Sequence, residues 1–247
     1  MPKFRQLLIK TLFPLGNNEL QYYTANQTEN VRLEQGHLLI TAIAEEYKNS
    51  SSVKRNFTSG RIRTKAAWRY GKVEVRAKMP AGRQLWPAIW MMPLESKYGG
   101  WAASGEIDIA EYRGERVNEV SGAIHYGGSW PNNIQSGSGD RTFEGVDFSR
   151  DFHNFSVVWN KTAISWQVDG RTFHVENINR TMWSGRGENP YAKVGQPFDQ
   201  PFYLLLNVAV GGNFFGSAPP VTPDEAKRNW TQPQLEVDYV KVFEWKR

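Results

Sequence analysis

Apolar and polar residues alternate along most of this chain, and helical periodicity is scarce. "GKVEVRAKMP" puts Val73, Val75 and Ala77 on one face and Lys72, Glu74, Arg76 and Lys78 on the other, which predicts a strand with one buried side. "VRLEQGHLLITA" predicts a hairpin turning near Gly36. "FSVVWNKTAISWQVDGRTFHVE" predicts successive strands with turns at Asn160-Lys161 and Asp169-Gly170, because an Asp-Gly pair accepts the positive φ of a tight hairpin. The unbroken apolar run "FYLLLNVAV" suits a strand inside a sandwich core, and "QLEVDYVKVFEW" predicts a late strand. Many short strands with Gly-rich turns predict an all-β, two-sheet sandwich or jelly roll. No repeat or composition break divides the chain, and residues 136–140 read as a flexible loop and nothing more.

Composition narrows the class. With 247 residues, 40% hydrophobic and 22% charged, the chain can bury a sizeable core and reads as globular. A net charge of +5 is spread along the chain, and the densest basic stretch, "RIRTK", alternates as on a solvated strand face, so nucleic acid is not an expected partner. No run of 18 apolar residues predicts a membrane span. With no cysteine, disulfides and thiolate metal sites are excluded. Glycosylation acceptor triplets occur at Asn26, Asn49, Asn56, Asn154, Asn160, Asn179 and Asn229. Chance would supply roughly two, so a secreted glycoprotein is expected; an accidental excess on an Asn- and Thr-rich β surface is the competing reading. The opening "MPKFRQLLIKTLFPLG" is a poor signal peptide, its apolar run being broken by Lys10.

One stretch raises a chemical question. "GEIDIAEYRG" sets Glu106, Asp108 and Glu111 within a strand-like apolar run. Strand alternation puts Glu106 and Asp108 on one face and Ile107 and Ile109 on the other. Strict alternation would then send Glu111 into the core, where an unpaired carboxylate is costly. One extra residue, a β-bulge near Ile109-Ala110, restores the parity and turns Tyr112 inward. Two carboxyls about 5 Å apart are what a retaining glycosidase requires. A third acid between them offers a way to make the pair titrate differently. A solvated acidic strand is the alternative from spacing alone.

This stretch resembles the Glu-x-Asp-x-x-Glu signature of glycoside hydrolase family sixteen, in its bulged, laminarinase-like form. "NNELQYYT", "YGKVEVRAKMPAGRQLWPAIWMMP", "FHNFSVVWNKTAISWQVDG", "FYLLLNVAVGGN" and "VDYVKVF" are similar to segments of that family, in its order. The resemblance runs from about Asn17 to the C-terminus and implies one catalytic domain over 17–247, preceded by an atypical segment, 1–16. It implies a concanavalin A-like jelly roll whose concave sheet forms the cleft. The implied chemistry is retaining endo-hydrolysis of β-1,3-glucan, with Glu106 as nucleophile, Asp108 as its helper and Glu111 as acid/base.

Ten Trp residues suit a glucan cleft, because sugar C–H faces stack on flat rings. Trp86, Trp90, Trp101 and Trp183 are the candidates, with Trp86 and Trp90 placed by even spacing on one strand face. Trp159, Trp166 and Trp245 read as core packing. His125 could hydrogen-bond the sugar or the nucleophile, or be structural. Asn18, Arg61 and Asn213 resemble polar subsite residues of the family. Its members often hold a structural Ca²⁺, for which Asp238 matches one ligand position; no cofactor is otherwise required. The four His show no metal spacing, no Gly-x-Ser-x-Gly elbow exists, and "GGNFFG" reads as a loop over the cleft.

The opening departs from the family, which usually begins with an acidic stretch and a strand. A missing first strand would leave an unpaired sheet edge. Two rival functions stand beside the glucanase, which is expected to be monomeric. One is a non-catalytic β-1,3-glucan recognition protein, a branch that the segment "NRTMWSGRGENPYAKVGQPFDQPF" also resembles. The other is a hydrolase of mixed-linkage glucan or a galactan.

Overall fold

The computed structural model describes residues 8–10 and 16–245. Two antiparallel sheets face each other. The first runs in the order Leu8–Lys10, Arg61–Thr64, Phe202–Val210, Leu85–Pro93, Glu106–Glu111, Glu119–Tyr126, Ile134–Gly137. The second runs Arg171–Asn177, Ala163–Val168, His153–Trp159, Gly71–Lys78, Gln234–Phe243, His37–Thr41, Val31–Glu34. Their inner faces share one apolar cluster, including Ile89, Met91, Ile107, Ile124, Leu204 and Leu206 from the first sheet and Val73, Val75, Phe155 and Val157 from the second. The predicted two-sheet sandwich is the observed architecture.

Local chemistry explains the turns. Gln35-Gly36 and Asp169-Gly170 both take positive φ at both residues, as two-residue hairpins require. At Asn160 the side-chain oxygen accepts the amides of Thr162 and Ala163 and closes that turn. The backbone of Leu8–Lys10 pairs with Arg61–Thr64, so this edge of the first sheet is covered from within the opening segment. The rest of the 1–16 expectation, apart from Gly16, lies outside the described residues. A short helix, Pro223–Asn229, was not anticipated. Its signal is in "TPDE": Thr222 caps the Glu225 amide and Pro223 opens the helix.

Four expectations change. Trp159 and Trp166 are buried, but Trp245 is 56% exposed, because it follows the last strand. Arg61 is buried and does not lie on a solvated face; its guanidinium sits 4.6 Å over the Tyr23 ring. Within 136–140, Ser136 and Gly137 belong to an edge strand, and Asp140 is an ion-pair partner of Arg113 and Arg116. Asp238 does not fit a calcium cage: Arg76 holds its carboxylate at 2.7 Å. Among the described residues the one acidic cluster of ligating geometry lies elsewhere, at Glu106, Asp108 and His125.

Candidate active site

The strand Glu106–Glu111 carries an irregularity where parity demands one. Asp108 faces Trp90 and Ala123 on its two neighbours, whereas Glu111 faces Ala88 and Ser121. Three residues on this strand therefore span two on each partner, and Ile109 and Ala110 are both buried at the bulge. Glu106, Asp108 and Glu111 thus share the outer face, and Tyr112 turns into the core, as the sequence predicts. The second sheet supports the bulge. The buried Trp166 indole donates to the Asp108 carbonyl at 2.7 Å. Gly122 makes room for it, since a Cβ there would meet the Trp166 ring at 2.2 Å. Any side chain at Gly122 would displace the indole that buttresses the carboxylate strand.

Two of the three carboxyls have an indole donor. Glu106 Oε2 accepts from the Trp101 indole at 2.6 Å. Glu111 Oε1 accepts from the Trp86 indole at 3.1 Å. His125, opposite Glu106 in register, places Nε2 3.2 Å from Asp108 Oδ2 and 3.9 Å from Glu106 Oε1. Beneath the carboxyls the neighbouring strands present the small side chains of Ala88, Ser121 and Ala123, which leave the face open for a ligand.

Burial sets the titration of this cluster. Desolvation is the largest cause for all three acids. It raises Glu106 and Glu111 to about 8, with the Asp108 charge adding to both, and Asp108 to about 7, opposed by a hydrogen bond with Glu106. Three carboxylates this close do not all ionise at neutral pH. The stability consequence has a definite sign. Acids raised by folding stabilise the fold fully below their unfolded values near 4, and that contribution is lost as pH rises through about 7 to 8. Asp108→Asn is therefore expected to raise the thermal midpoint at pH 8.5 and to change it little at pH 4. A gain of about 1–2 kcal/mol corresponds to roughly 2–8 °C in a domain of this size. Calorimetry at the two pH values checks it; a midpoint at pH 8.5 no higher than the parent's would refute it.

The remaining expected residues divide. Trp101 is 41% exposed beside Glu106, with its ring centroid 5.5 Å from that of His125, and presents an open aromatic surface. Trp90 shares the carboxylate face and donates to Asn207 at 2.7 Å. Trp86 shares that face too but is only 9% exposed: Phe214 stacks on it, so it is a carboxyl partner and not an open platform. Asn18 donates to Asn213 at 2.9 Å, joining the two rim loops. Trp183 lies in the long 178–201 segment, donating to the Arg186 carbonyl at 3.2 Å, and makes no hydrogen bond to the carboxyls.

Sequence reasoning missed a buried polar chain on the neighbouring strands. Trp90 donates to Asn207, Asn207 donates to Tyr23 at 3.1 Å, and Tyr23 donates to Glu19 at 3.1 Å. Gln21 also donates to Glu19, and burial raises the Glu19 carboxyl despite these bonds and the Arg61 charge. The available signal was Asn207, a lone polar residue inside "FYLLLNVAV". A row of donors and acceptors beside the carboxyls is suited to reading sugar hydroxyls.

Known proteins resemble this chain. A glucan endo-1,3-beta-glucosidase of Cryptopygus antarcticus is 46% identical over 93% of this chain and 83% of its own length. A beta-1,3-glucan-binding protein of Penaeus monodon is 41% identical over 66% of this chain and 49% of its own. The X-ray structure of the laminarinase from Rhodothermus marinus superposes with a TM-score of 0.79 at 36% identity, covering 97% of this chain and 91% of that one. The family model for glycosyl hydrolases family 16 matches residues 18–240, and the chain belongs to that family.

Proposed function

We propose that this protein is a retaining endo-β-1,3-glucanase in which Glu106 is the nucleophile, Asp108 its helper and Glu111 the acid/base. The observation that carries the reading is the bulged strand, which brings three carboxyls, Asp108 buried and Glu106 and Glu111 partly so, onto one face, two of them held by separate indole donors. The stronger donor contact, 2.6 Å from Trp101, favours the negative charge on Glu106. Desolvation by burial, with repulsion from the Asp108 charge added to it, keeps Glu111 protonated. Glu106 attacks the anomeric carbon as the bond to the leaving sugar breaks, and Glu111 gives that oxygen its proton. A water then attacks the glycosyl-enzyme, losing its proton to Glu111 and releasing Glu106. The chain's own carboxyls supply nucleophile and proton, so no cofactor enters the cycle. Trp101 is the aromatic surface for a sugar ring, and the Trp90–Asn207–Tyr23–Glu19 row, with Arg61, reads hydroxyls.

The acceptor asparagines Asn26, Asn56, Asn160, Asn179 and Asn229 are exposed, which supports a secreted glycoprotein; we take it to act as a monomer. The resemblance to a beta-1,3-glucan-binding protein gives the second reading, recognition without turnover. All three acids are present here, which favours the enzyme.

Purified protein is expected to release reducing ends from laminarin, with lichenan as the mixed-linkage control. Proton NMR of the first products should show the β anomer, because two displacements restore the configuration. An α anomer appearing first would overturn the mechanism. Binding of laminarin without turnover would establish the recognition reading instead.

A further inference from the structure

The residues next to Glu111 form a layered support that the reaction scheme above does not use. Arg113, two positions beyond Glu111, places its guanidinium carbon 3.8 Å over the Phe214 ring. Phe214 in turn stacks on Trp86, with centroids 4.5 Å apart and planes 12° from parallel. The far edge of Trp86 donates to Glu111. The guanidinium is held in place by both Asp140 oxygens, at 2.8 and 2.9 Å, and it donates to the Phe214 carbonyl at 3.0 Å. The Phe214 loop is tied down at its other side by the Asn213 amide on the Asn17 carbonyl, 2.7 Å, and by Asn18 on Asn213. Gly212 permits the first tie, since a Cβ there would meet the Asn17 carbonyl at 2.6 Å.

We propose that Arg113 and Phe214 are positioning residues: their stack holds the Trp86 indole as a fixed donor to Glu111, and so sets the alkaline limit of the reaction. This rests on Glu111 being the acid/base. A planar guanidinium on an aromatic face, with Nη1 held by both Asp140 oxygens and Nη2 by the Phe214 carbonyl, leaves the stack little freedom to slide. An indole pressed from one side keeps its N–H aimed, and an aimed donor stabilises the ionised carboxyl more than a wandering one. The charge of Arg113 also lowers Glu111 directly, which Arg113→Lys preserves, and the other titratable groups around Glu111 are Asp108 and Glu106 on its own strand and His125 on the next. Asp140 and, behind it, Arg116 face Arg113. The loop 211–216 and the strand Leu85–Pro93 bring no charged residue, so on those two sides the Trp86 N–H is the adjustable contact.

The test is the pH profile of kcat/KM on laminarin for the parent, Phe214→Ala, Trp86→Phe, Arg113→Lys and the Phe214→Ala/Trp86→Phe pair, with tryptophan emission recorded for each. Trp86→Phe keeps a ring in the stack but removes the donor, and it should move the alkaline limb up by about one pH unit. Phe214→Ala should move it in the same direction and lower kcat by about tenfold through misplacement of Glu111. The double variant should show no more shift than Trp86→Phe alone. Arg113→Lys, which keeps the charge and loses the fork, should also shift the limb upward. Lower thermal stability with the limb unmoved would mean the stack is packing only and would overturn the proposal. Additive shifts in the double variant would overturn the route through Trp86. A parent with no turnover at all would instead defeat the glucanase reading, and the two failures are thereby distinguished.

Discussion

Glu106→Gln is expected to abolish laminarin turnover while leaving laminarin binding in place. The amide cannot form the glycosyl-enzyme, so both chemical steps stop, and the loss should be on the order of 10⁴-fold or more, as for groups that act as one catalytic unit. Binding survives because the Trp90–Asn207–Tyr23–Glu19 row does not touch Glu106, and the amide oxygen of the glutamine still accepts from the Trp101 indole. The amide also removes the charge most strongly held by Trp101, and the folded state should be no less stable at pH 8 than the parent. Reducing-end release and affinity electrophoresis in laminarin gels read the two halves separately. Turnover near the parental rate would remove Glu106 from the nucleophile role; loss of binding together with turnover would assign it to substrate recognition.

Glu111→Ala should lose about 10²–10⁴-fold in kcat/KM on laminarin, the usual contribution of a positioned general acid and base. The first step suffers least with a substrate whose leaving group needs no proton, such as an activated aryl glucoside. With that substrate the glycosyl-enzyme accumulates, because no base activates water. Azide enters the vacated space without needing deprotonation and should restore turnover, releasing the β-glycosyl azide. The β product is a direct consequence of attack on an α-linked intermediate at Glu106. An α azide would mean that no covalent intermediate forms, and absence of rescue in a folded variant would move the acid/base away from Glu111.

The parity of this strand was legible because burial of a charge is so unfavourable. The order of apolar and acidic residues in "GEIDIAEYRG" admits few arrangements, and only the bulged one keeps Glu111 out of the core while burying Ile107, Ile109 and Tyr112. The turns at Gln35-Gly36 and Asp169-Gly170 were legible for an equally local reason, the cost of positive φ in most residues. Indole platforms were harder to judge. Trp86 and Trp90 were correctly placed on one face, but alternation says nothing about what lies above that face. The segment that carries Phe214 reads as a loop over the cleft, but that it covers Trp86 is seen only with its ties to Asn17 and Asn18.

What the sequence by itself determined is therefore the two-sheet β architecture, the parity of the carboxylate strand and, through its motifs, the family. These follow from forces acting within a few residues: strand alternation, turn stereochemistry and the penalty for a buried charge. Tertiary structure alone decided who partners whom across the sheets. Trp90 finds Asn207 at a separation of 117 residues, Arg113 finds the Phe214 carbonyl at 101, and Arg76 takes the Asp238 carboxylate at 162, where a calcium ligand had been expected. Such contacts depend on strand order and register, which are settled by burying both sheets' apolar faces together. No periodicity within a single segment carries that information, so the supports of the three carboxyls became visible only once the sheets were assembled.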